Sequence, residues 1–507
     1  MSGNLVSTGW SIHLDDWIRY LTLRVEQLER AGDIGGKVKY ERQLTSLNEA
    51  GYGLTIAPDI LSVIIDPESS GSANLSPPVV SEWYQMLDSA QREAVLASLC
   101  GNPLTLILGP PGTGKTTVIT ETVLQFVDQY PNARVLIASE SHVAVDNVLD
   151  RLLKLRPELN TLRVATDPDD IDNDPDVQVA SAHKRLEEYF SWLLNHEAVP
   201  EALASTIKQL FTEKGAPRRV YRELANSSQI VVATCNYMAA WPFSTEDLPY
   251  DLVVVDEVCK ATLPEVLVPL LKGSRALLVG DPNQLPPVFC IEDIELQDSE
   301  ELAIIRECQY INGLFTRLES KGHVHMFNRQ YRMPDELGSY ISDVFYSGKL
   351  QNGCTRSRPD AVRWIDSDHP VLVPKKDSRD IYNPHEVSLV LQIIEEIKML
   401  YSVTNSLSLA VITPYRAQQK ALKKALASKV PQCWQIQIDT VDAFQGRDAD
   451  VVIFSVARNH GSRRFFADFR RMNVALSRAK QQLWFVGSYR YLKTIPYLKT
   501  LHELDIQ

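Results

Sequence analysis

Apolar residues fall into two rhythms along this chain. Near the N-terminus Trp17, Leu21, Val25 and Leu28 recur at helical spacing, which predicts an amphipathic helix over 11–31. Gly35 and Gly36 interrupt the pattern, and a second helical stretch over 37–48 completes a hairpin. A short extended piece is expected over 53–65, followed by a linker over 67–78, rich in Ser, Gly and Pro. From about residue 81 the rhythm changes. Continuous apolar runs at 104–108, 135–138, 230–233, 251–255 and 275–279 alternate with helical patterns. The second half repeats the style at 324–327, 407–412, 451–455 and 482–486. Runs that do not alternate are expected of parallel strands covered on both faces. Two α/β domains follow, joined near 290–320, with a mainly helical insertion over 151–230. The expected boundaries are 1–80 for the hairpin, extended segment and linker, 81–318 for the first lobe, and 319–507 for the second.

Composition narrows the class. The 507 residues are 44% hydrophobic and 23% charged, as in ordinary soluble globular proteins. No apolar run reaches the length of a membrane span, and residues 1–10 lack a signal pattern. A membrane is therefore not an expected partner, and the cytoplasm is the expected location, with the nucleus also open. The seven cysteines are scattered and contain no C-x-x-C pair, which argues against a disulfide framework or a structural zinc. They read as buried thiols. A net charge of −12 argues against a basic coat for nucleic acid but leaves room for a local basic cleft. Six aspartates within 167–176 read as a solvated loop.

The chemistry begins at Gly109-Pro110-Pro111-Gly112-Thr113-Gly114-Lys115-Thr116. This fits G-x-x-x-x-G-K-[ST] and stands between an apolar run and a helical pattern carrying Ile119, Val123 and Val127. Glycines let successive N–H groups face a phosphate, and the helix N-terminus adds positive potential. Lys115 would reach the β- and γ-phosphates, the Thr116 hydroxyl would ligate Mg²⁺, and Thr117 would join the cradle. The competing reading is a chance glycine turn. About 140 residues on, an apolar run ends in Asp256-Glu257. There Asp256 would hold Mg²⁺ through water and Glu257 would take a proton from attacking water. The stretch Gly280-Asp281-Pro282-Asn283-Gln284-Leu285-Pro286-Pro287 has two readings, a simple turn or a loop that brings Gln284 to the γ-phosphate. Spacing alone does not choose between them.

The ordered series resembles superfamily 1 helicases, specifically the 1B branch typified by the up-frameshift, nonsense-mediated-decay helicases. The three segments above are similar to motifs I, II and III. Gln330-Tyr331-Arg332-Met333 is similar to a Q-Y-R-M segment of that family, Thr440-Val441-Asp442-Ala443-Phe444-Gln445-Gly446-Arg447 to motif V, and Asn473-Val474-Ala475-Leu476-Ser477-Arg478-Ala479-Lys480 to motif VI. The resemblance runs from about residue 87 to 488. It implies two RecA-like lobes, parallel sheets flanked by helices, with a helical stalk and a helical insertion in the first lobe. It implies ATP and Mg²⁺ as cofactors, Gln91 as the adenine-reading amide, and Tyr331 stacked on the base. Gly446 and Asp448 would line the nucleotide, and Arg332 and Arg478 would act as arginine fingers brought from the second lobe. Closing and relaxing of the cleft between lobes would then drive movement, 5′→3′, on single-stranded DNA or RNA. Segments similar to strand-contacting motifs supply Ser141 and His142, Thr234 and Asn236, and Thr413, Pro414, Tyr415 and Thr440. Hydroxyls, amides and helix N-termini there would grip phosphates without reading sequence.

Four departures qualify the resemblance. Lys260 stands where the family usually has glutamine, and Asp448 where it has a ribose-contacting glutamate. The stretch 51–78 is too short for the family's accessory barrel, so strand separation is expected to be feeble or supplied by a protein partner. Neither a Cys–His zinc domain nor a nuclease is present in the sequence. A monomer is expected. The alternative function is an ATP-switched nucleic-acid clamp or recruitment module with little unwinding.

Overall fold

A computed structural model describes residues 10–51, 58–65, 78–165, 168–172, 174–195, 205, 218–239, 249–287, 314–315, 318–319, 324–368, 381–401 and 405–506. The expected linker, apart from Pro78, lies outside these residues, as do Asp167, Cys290, Cys308 and most of the 290–320 junction. The chain divides into two compact units, one of Met1–Leu108, Lys115–Pro282 and Pro286–Met326, the other of Gly109–Gly114, Asn283–Leu285 and Phe327–Gln507.

The first unit opens with helices α1 (Trp10–Ala31) and α2 (Ile34–Gly51). They turn at Gly32, whose φ of +72° favours glycine, and the Asp33 carboxylate accepts from the Gly36 N–H at 3.0 Å. Trp17, Tyr20, Leu21 and Leu47 are buried in one core with Ile60, Leu61 and Ile64. Those last three belong to a third helix, α3 (Pro58–Ile65), where the sequence suggested extended chain. The run Ile-Leu-Ser-Val-Ile-Ile is β-branched and reads as strand. Pro58 and Asp59 nevertheless open a helical turn, and residues 60, 61 and 64 form one buried face.

Helix α4 (Ser89–Leu99) leads to a seven-stranded sheet in the order β3-β4-β2-β5-β6-β1-β7, every pair parallel. Its strands are β1 (Leu104–Leu108), β2 (Val135–Ser139), β3 (Thr161–Arg163), β4 (Ile230–Thr234), β5 (Leu252–Asp256), β6 (Ala276–Gly280) and β7 (Val324–Met326). Five of them coincide with continuous apolar runs, and β2, β5 and β6 are buried throughout. Two differ from expectation. β7, grouped by sequence with the second half, pairs with β1 at the edge of this first sheet. β3 lies inside the stretch expected to be helical, and its three residues are too few to show a periodicity.

Helices α5 (Lys115–Gln129) and α6 (His142–Leu155) follow β1 and β2. Because the sheet is parallel, the carboxyl ends of its strands share one edge, where α/β sheets carry their ligands. The register sets them level: Ser139 pairs with both Thr234 and Asp256, and Leu108 with Gly280.

The second unit holds a five-stranded parallel sheet in the order β10-β14-β13-β11-β12, and a small parallel pair β8 (Arg329–Gln330) with β9 (Gln351–Asn352). Its strands are β10 (Val362–Ile365), β11 (Leu407–Thr413), β12 (Trp434–Thr440), β13 (Ala449–Ser455) and β14 (Ala479–Val486). The interior strands β11, β13 and β14 are the apolar runs of the sequence. The edge strand β12 interleaves exposed Gln435 and Gln437 with buried Trp434 and Ile438, so it carries no such run. At its end Thr440 pairs with Thr413.

One charged pair is sealed into the first unit. Arg163 of β3 is fully buried and donates through Nε to Asp146 of α6, and through Nη1 to the Val164 carbonyl at 2.6 Å. Removing one member of such a pair strands the other without solvent. Asp146→Ala is expected to destabilise this unit by about 3–5 kcal/mol, while the double change Asp146→Leu, Arg163→Met recovers most of the loss. Denaturant unfolding of the three chains, followed by tryptophan fluorescence, measures both.

Candidate active site

The carboxyl end of β1 runs into the glycine loop. Gly112 and Gly114 hold φ of +74° and +81°, so both need glycine's freedom. Thr113 is buried and closes the loop: its N–H and hydroxyl both donate to the Pro110 carbonyl, at 3.4 and 2.8 Å. Within the second unit, the Tyr331 N–H donates to the Gly112 carbonyl at 2.8 Å. A Cβ on Gly112 would stand 2.6 Å from the Arg332 Cβ, which forbids any side chain there. Lys115, Thr116 and Thr117 form the first turn of α5, whose N–H groups have no acceptor within the helix.

Two carboxylates end β5. Asp256 is buried, and burial, then the charge of Glu257, pushes its carboxyl up to about 7, against the pull of Lys115 and of the Glu257 N–H. That N–H donates to Asp256 Oδ1 at 2.8 Å. Glu257 sits at φ +50°, the left-handed region that a residue with a Cβ occupies at a cost, and its buried Oε2 accepts no hydrogen bond among the described residues. Strained backbone and an orphaned carboxylate oxygen meet in one residue, beside a carboxylate whose burial disfavours its charge.

Gln91 stands in the first turn of α4, in a reciprocal cap: its Oε1 accepts from the Asp88 N–H at 3.0 Å, and its N–H donates to Asp88 at 2.9 Å. The Tyr331 ring lies on Gly353, where an added Cβ would come within 2.3 Å of it.

The two candidate finger arginines belong to the second unit and are already engaged. Arg332 Nη2 pairs with Asp448 at 3.0 Å, and Nη1 donates to the Ser477 carbonyl at 3.2 Å. Lys480 reaches the other oxygen of Asp448 at 2.7 Å. Burial would raise the Asp448 carboxyl, but Arg332, Lys480 and Arg478 outweigh it and hold it below the usual range. Arg478 is buried and donates to the Val474 carbonyl at 2.8 Å, the Arg447 carbonyl at 3.2 Å and Gln284 Oε1 at 3.3 Å. The segment of Gln284 is anchored by its neighbour Asn283, whose carbonyl accepts from Asn473 at 2.8 Å. Gly446 takes φ +81°.

The candidate strand-contacting residues group by strand end. Ser141 caps α6, its Oγ accepting from the Ala144 N–H at 3.3 Å, and His142 follows, its Nδ1 3.1 Å from Arg163 Nη2. Burial, then Arg163, pushes the imidazole below its ordinary value, against the pull of Asp170 and Asp146. Thr234 ends β4, and Asn236 is bound to α2, its Oδ1 accepting from Gln43 at 3.1 Å. Thr413 is wholly buried, so its side chain offers no surface; Pro414, Tyr415 and Thr440 are half-buried. Cys354 and Cys433 are exposed, against the expectation of buried thiols, while Cys235 and Cys259 are buried.

Comparison with known proteins decides the class. Residues 310–490 match one family model described as an AAA domain, and residues 86–198 and 195–292 match a second. Relatives include an ATP-dependent helicase of Methanocaldococcus jannaschii, 25% identical over 97% of this chain and 80% of that protein, and the ATP-dependent helicase NAM7 of Saccharomyces cerevisiae, 31% identical over 81% and 42%. The DNA-binding protein SMUBP-2 of Mesocricetus auratus is 28% identical over 94% of this chain and 50% of that protein. The chain belongs to the up-frameshift type of superfamily 1 helicases. It is an ATP-hydrolysing helicase built on two α/β lobes, and it spans about half the length of the SMUBP-2 and NAM7 relatives. Among the described residues no helix is long and apolar enough to cross a membrane.

The sequence reading missed several residues that organise this site. Lys480, inside a quoted motif, received no role. Glu140, within the segment of Ser141 and His142 that resembles a strand-contacting motif, likewise received no role, and Glu265, Lys39 and Gln43 escaped, though Thr262-Leu263-Pro264-Glu265 carries a capping-box signature that would have located Glu265. Gly112→Ala is expected to weaken binding of a fluorescent ATP analogue at least about tenfold in an equilibrium titration, since both the backbone angle and the Arg332 contact reject a Cβ.

Proposed function

We propose that this helicase moves 5′→3′ along single-stranded DNA or RNA, using ATP with Mg²⁺ and the residues gathered at the strand ends. The direction rests on likeness to the 1B branch. The observation that carries the hydrolytic part is the pair at the end of β5: a buried Asp256 pushed up to about 7 by burial and by Glu257, against the pull of Lys115, and a Glu257 whose Oε2 is orphaned.

Asp256 and the Thr116 hydroxyl are the residues that would hold Mg²⁺, and a buried carboxylate pushed up to about 7 gains its charge when a cation arrives. The ion supplies neutralisation of phosphate charge when bound. The Lys115 ammonium and the N–H groups of Gly112, Gly114, Lys115, Thr116 and Thr117 cradle the phosphates. Glu257 takes the proton of the attacking water, and its orphaned oxygen is free to accept it without first losing another partner. Arg332 and Arg478 would exchange their present acceptors for the γ-phosphate, with Gln284 moving alongside Arg478. Gln91 reads adenine, Tyr331 stacks on it, and Gly446 and Asp448 line the sugar. Ser141, His142, Thr234, Asn236, Pro414, Tyr415, Thr440 and the backbone at Thr413 grip the phosphates of the strand. A monomer suffices for this cycle, and a protein partner would supply specificity or added unwinding.

Single-stranded oligonucleotide is expected to accelerate ATP turnover, and a duplex with a 5′ overhang to be opened where a 3′-overhang duplex is not. No stimulation by either DNA or RNA would sink the motor; stimulation with both duplexes intact would favour a clamp or translocase. Glu257→Gln is expected to keep ATP binding while stimulated turnover falls at least about a hundredfold. An unchanged kcat would remove Glu257 from the mechanism.

A further inference from the structure

Beneath the candidate strand-contacting segments of the first unit lies a charged network that the hydrolytic cycle does not use. Lys39, on α2 of the N-terminal hairpin, points its ammonium at two carboxylates, Glu265 at 2.8 Å and Glu140 at 3.5 Å. Glu265 is buried in the helix Leu263–Leu270, and its other oxygen accepts from the Thr262 N–H and hydroxyl at 2.8 and 2.9 Å. Glu140 directly precedes Ser141 and His142, and its buried Oε2 accepts no hydrogen bond among the described residues.

One turn along α2, Gln43 donates to both Glu265 Oε1 at 3.3 Å and Asn236 Oδ1 at 3.1 Å. Arg42 donates to the Asn236 carbonyl at 3.3 Å. Asn236 Nδ2 in turn donates to Glu265 Oε1 at 3.4 Å. Two segments read as gripping the strand, 140–142 and 234–236, are thus tied to one helix, the first through Lys39 and the second through Arg42, Gln43 and the Glu265 that Lys39 holds. Lys260, the departure that follows Asp256 and Glu257, faces the same cluster, its charge favouring ionised Glu140.

We propose that Lys39 is a positioning residue for single-strand binding: by bridging Glu140 and Glu265 it fixes the Ser141–His142 turn and Asn236 in one arrangement. This rests on the reading that those segments touch nucleic acid. Lys39 makes no such contact itself. Its loss leaves Glu140 and Glu265 facing one another with Lys260 as the remaining nearby cation, and the turn carrying Glu140 swings away to reach water. Burial, then the charge of Glu265, already pushes the Glu140 carboxyl up to about 7, while Lys39 and Lys260 pull it down. The buried Cys235 thiol also faces Glu140 and Glu265, and burial, then those carboxylates, pushes it well up, so it adds no charge to the cluster. Without Lys39 the Glu140 carboxyl rises further, so protonation restores the arrangement at low pH.

The test uses the full chain and fluorescein-labelled oligothymidylate and oligouridylate, with anisotropy for affinity and unstimulated ATP turnover as the control. Lys39→Met is expected to weaken strand binding about tenfold at pH 8, with unstimulated turnover within about twofold of the parent. The deficit shrinks by pH 6, and Lys39→Met, Glu140→Gln recovers most of the affinity at pH 8, because no unbalanced carboxylate remains. Unchanged affinity in Lys39→Met overturns the proposal. So does an equal fall in affinity and unstimulated turnover with neither pH nor second-site recovery, which marks a purely structural role. Ser141→Ala, His142→Ala tests the underlying reading separately. If that variant binds as the parent does, the strand-contact reading falls; if it is weakened while Lys39→Met is not, only the role of Lys39 falls.

Discussion

The parallel register of the first sheet is the constraint on which the rest depends. Ser139 pairs with Thr234 on one side and Asp256 on the other, so three strands end level within a residue. Parallel strands of equal pleat bring their carboxyl ends to one edge, and whatever follows each strand is presented there. Residues more than a hundred positions apart meet because pairing leaves them nowhere else to be. A slip of one residue between β2 and β5 would turn Asp256 to the opposite face of the sheet.

The interior of both sheets was legible because buried parallel strands have to be apolar throughout. The runs at 104–108, 407–412 and 451–455 reappear as β1, β11 and β13 almost residue for residue. What escaped were elements whose stability comes from neighbours. β3 and β10 are too short for a pattern, β12 is half solvated, and α3 is a β-branched run whose helix buries Ile60, Leu61 and Ile64 in the core of the first unit. The glycine loop and the Asp256–Glu257 pair were legible because phosphate chemistry dictates residue types at fixed spacing. Side-chain partners were not: nothing in the sequence places Lys39 beside Glu265, or Lys480 beside Asp448.

Net acidity and local basic chemistry coexist in this chain because several of its cations are paired within it. Arg163, Lys39, Arg332, Lys480 and Arg478 all face carboxylates or carbonyls of their own unit. Counting charge along the sequence misses this, since it weighs a buried, satisfied arginine the same as a solvated one. Arg163 shows the difference: enclosed with Asp146, it adds to the burial that pushes the His142 imidazole below its ordinary value.

The carboxylate of Asp448 gives the second unit an anion of its own. It sits between Arg332 and Lys480, on a side chain one methylene shorter than glutamate, and holds the Arg332 guanidinium in a fixed orientation while Gly112 leaves room for the arginine stem. An arriving anion at Arg332 therefore competes with a tethered rival instead of displacing water. The guanidinium has already lost its rotational freedom, so exchange costs little entropy, but the attraction gained is only the difference between two anions. Selectivity at such a position follows charge density: a multiply charged group displaces the aspartate, and a singly charged one does not.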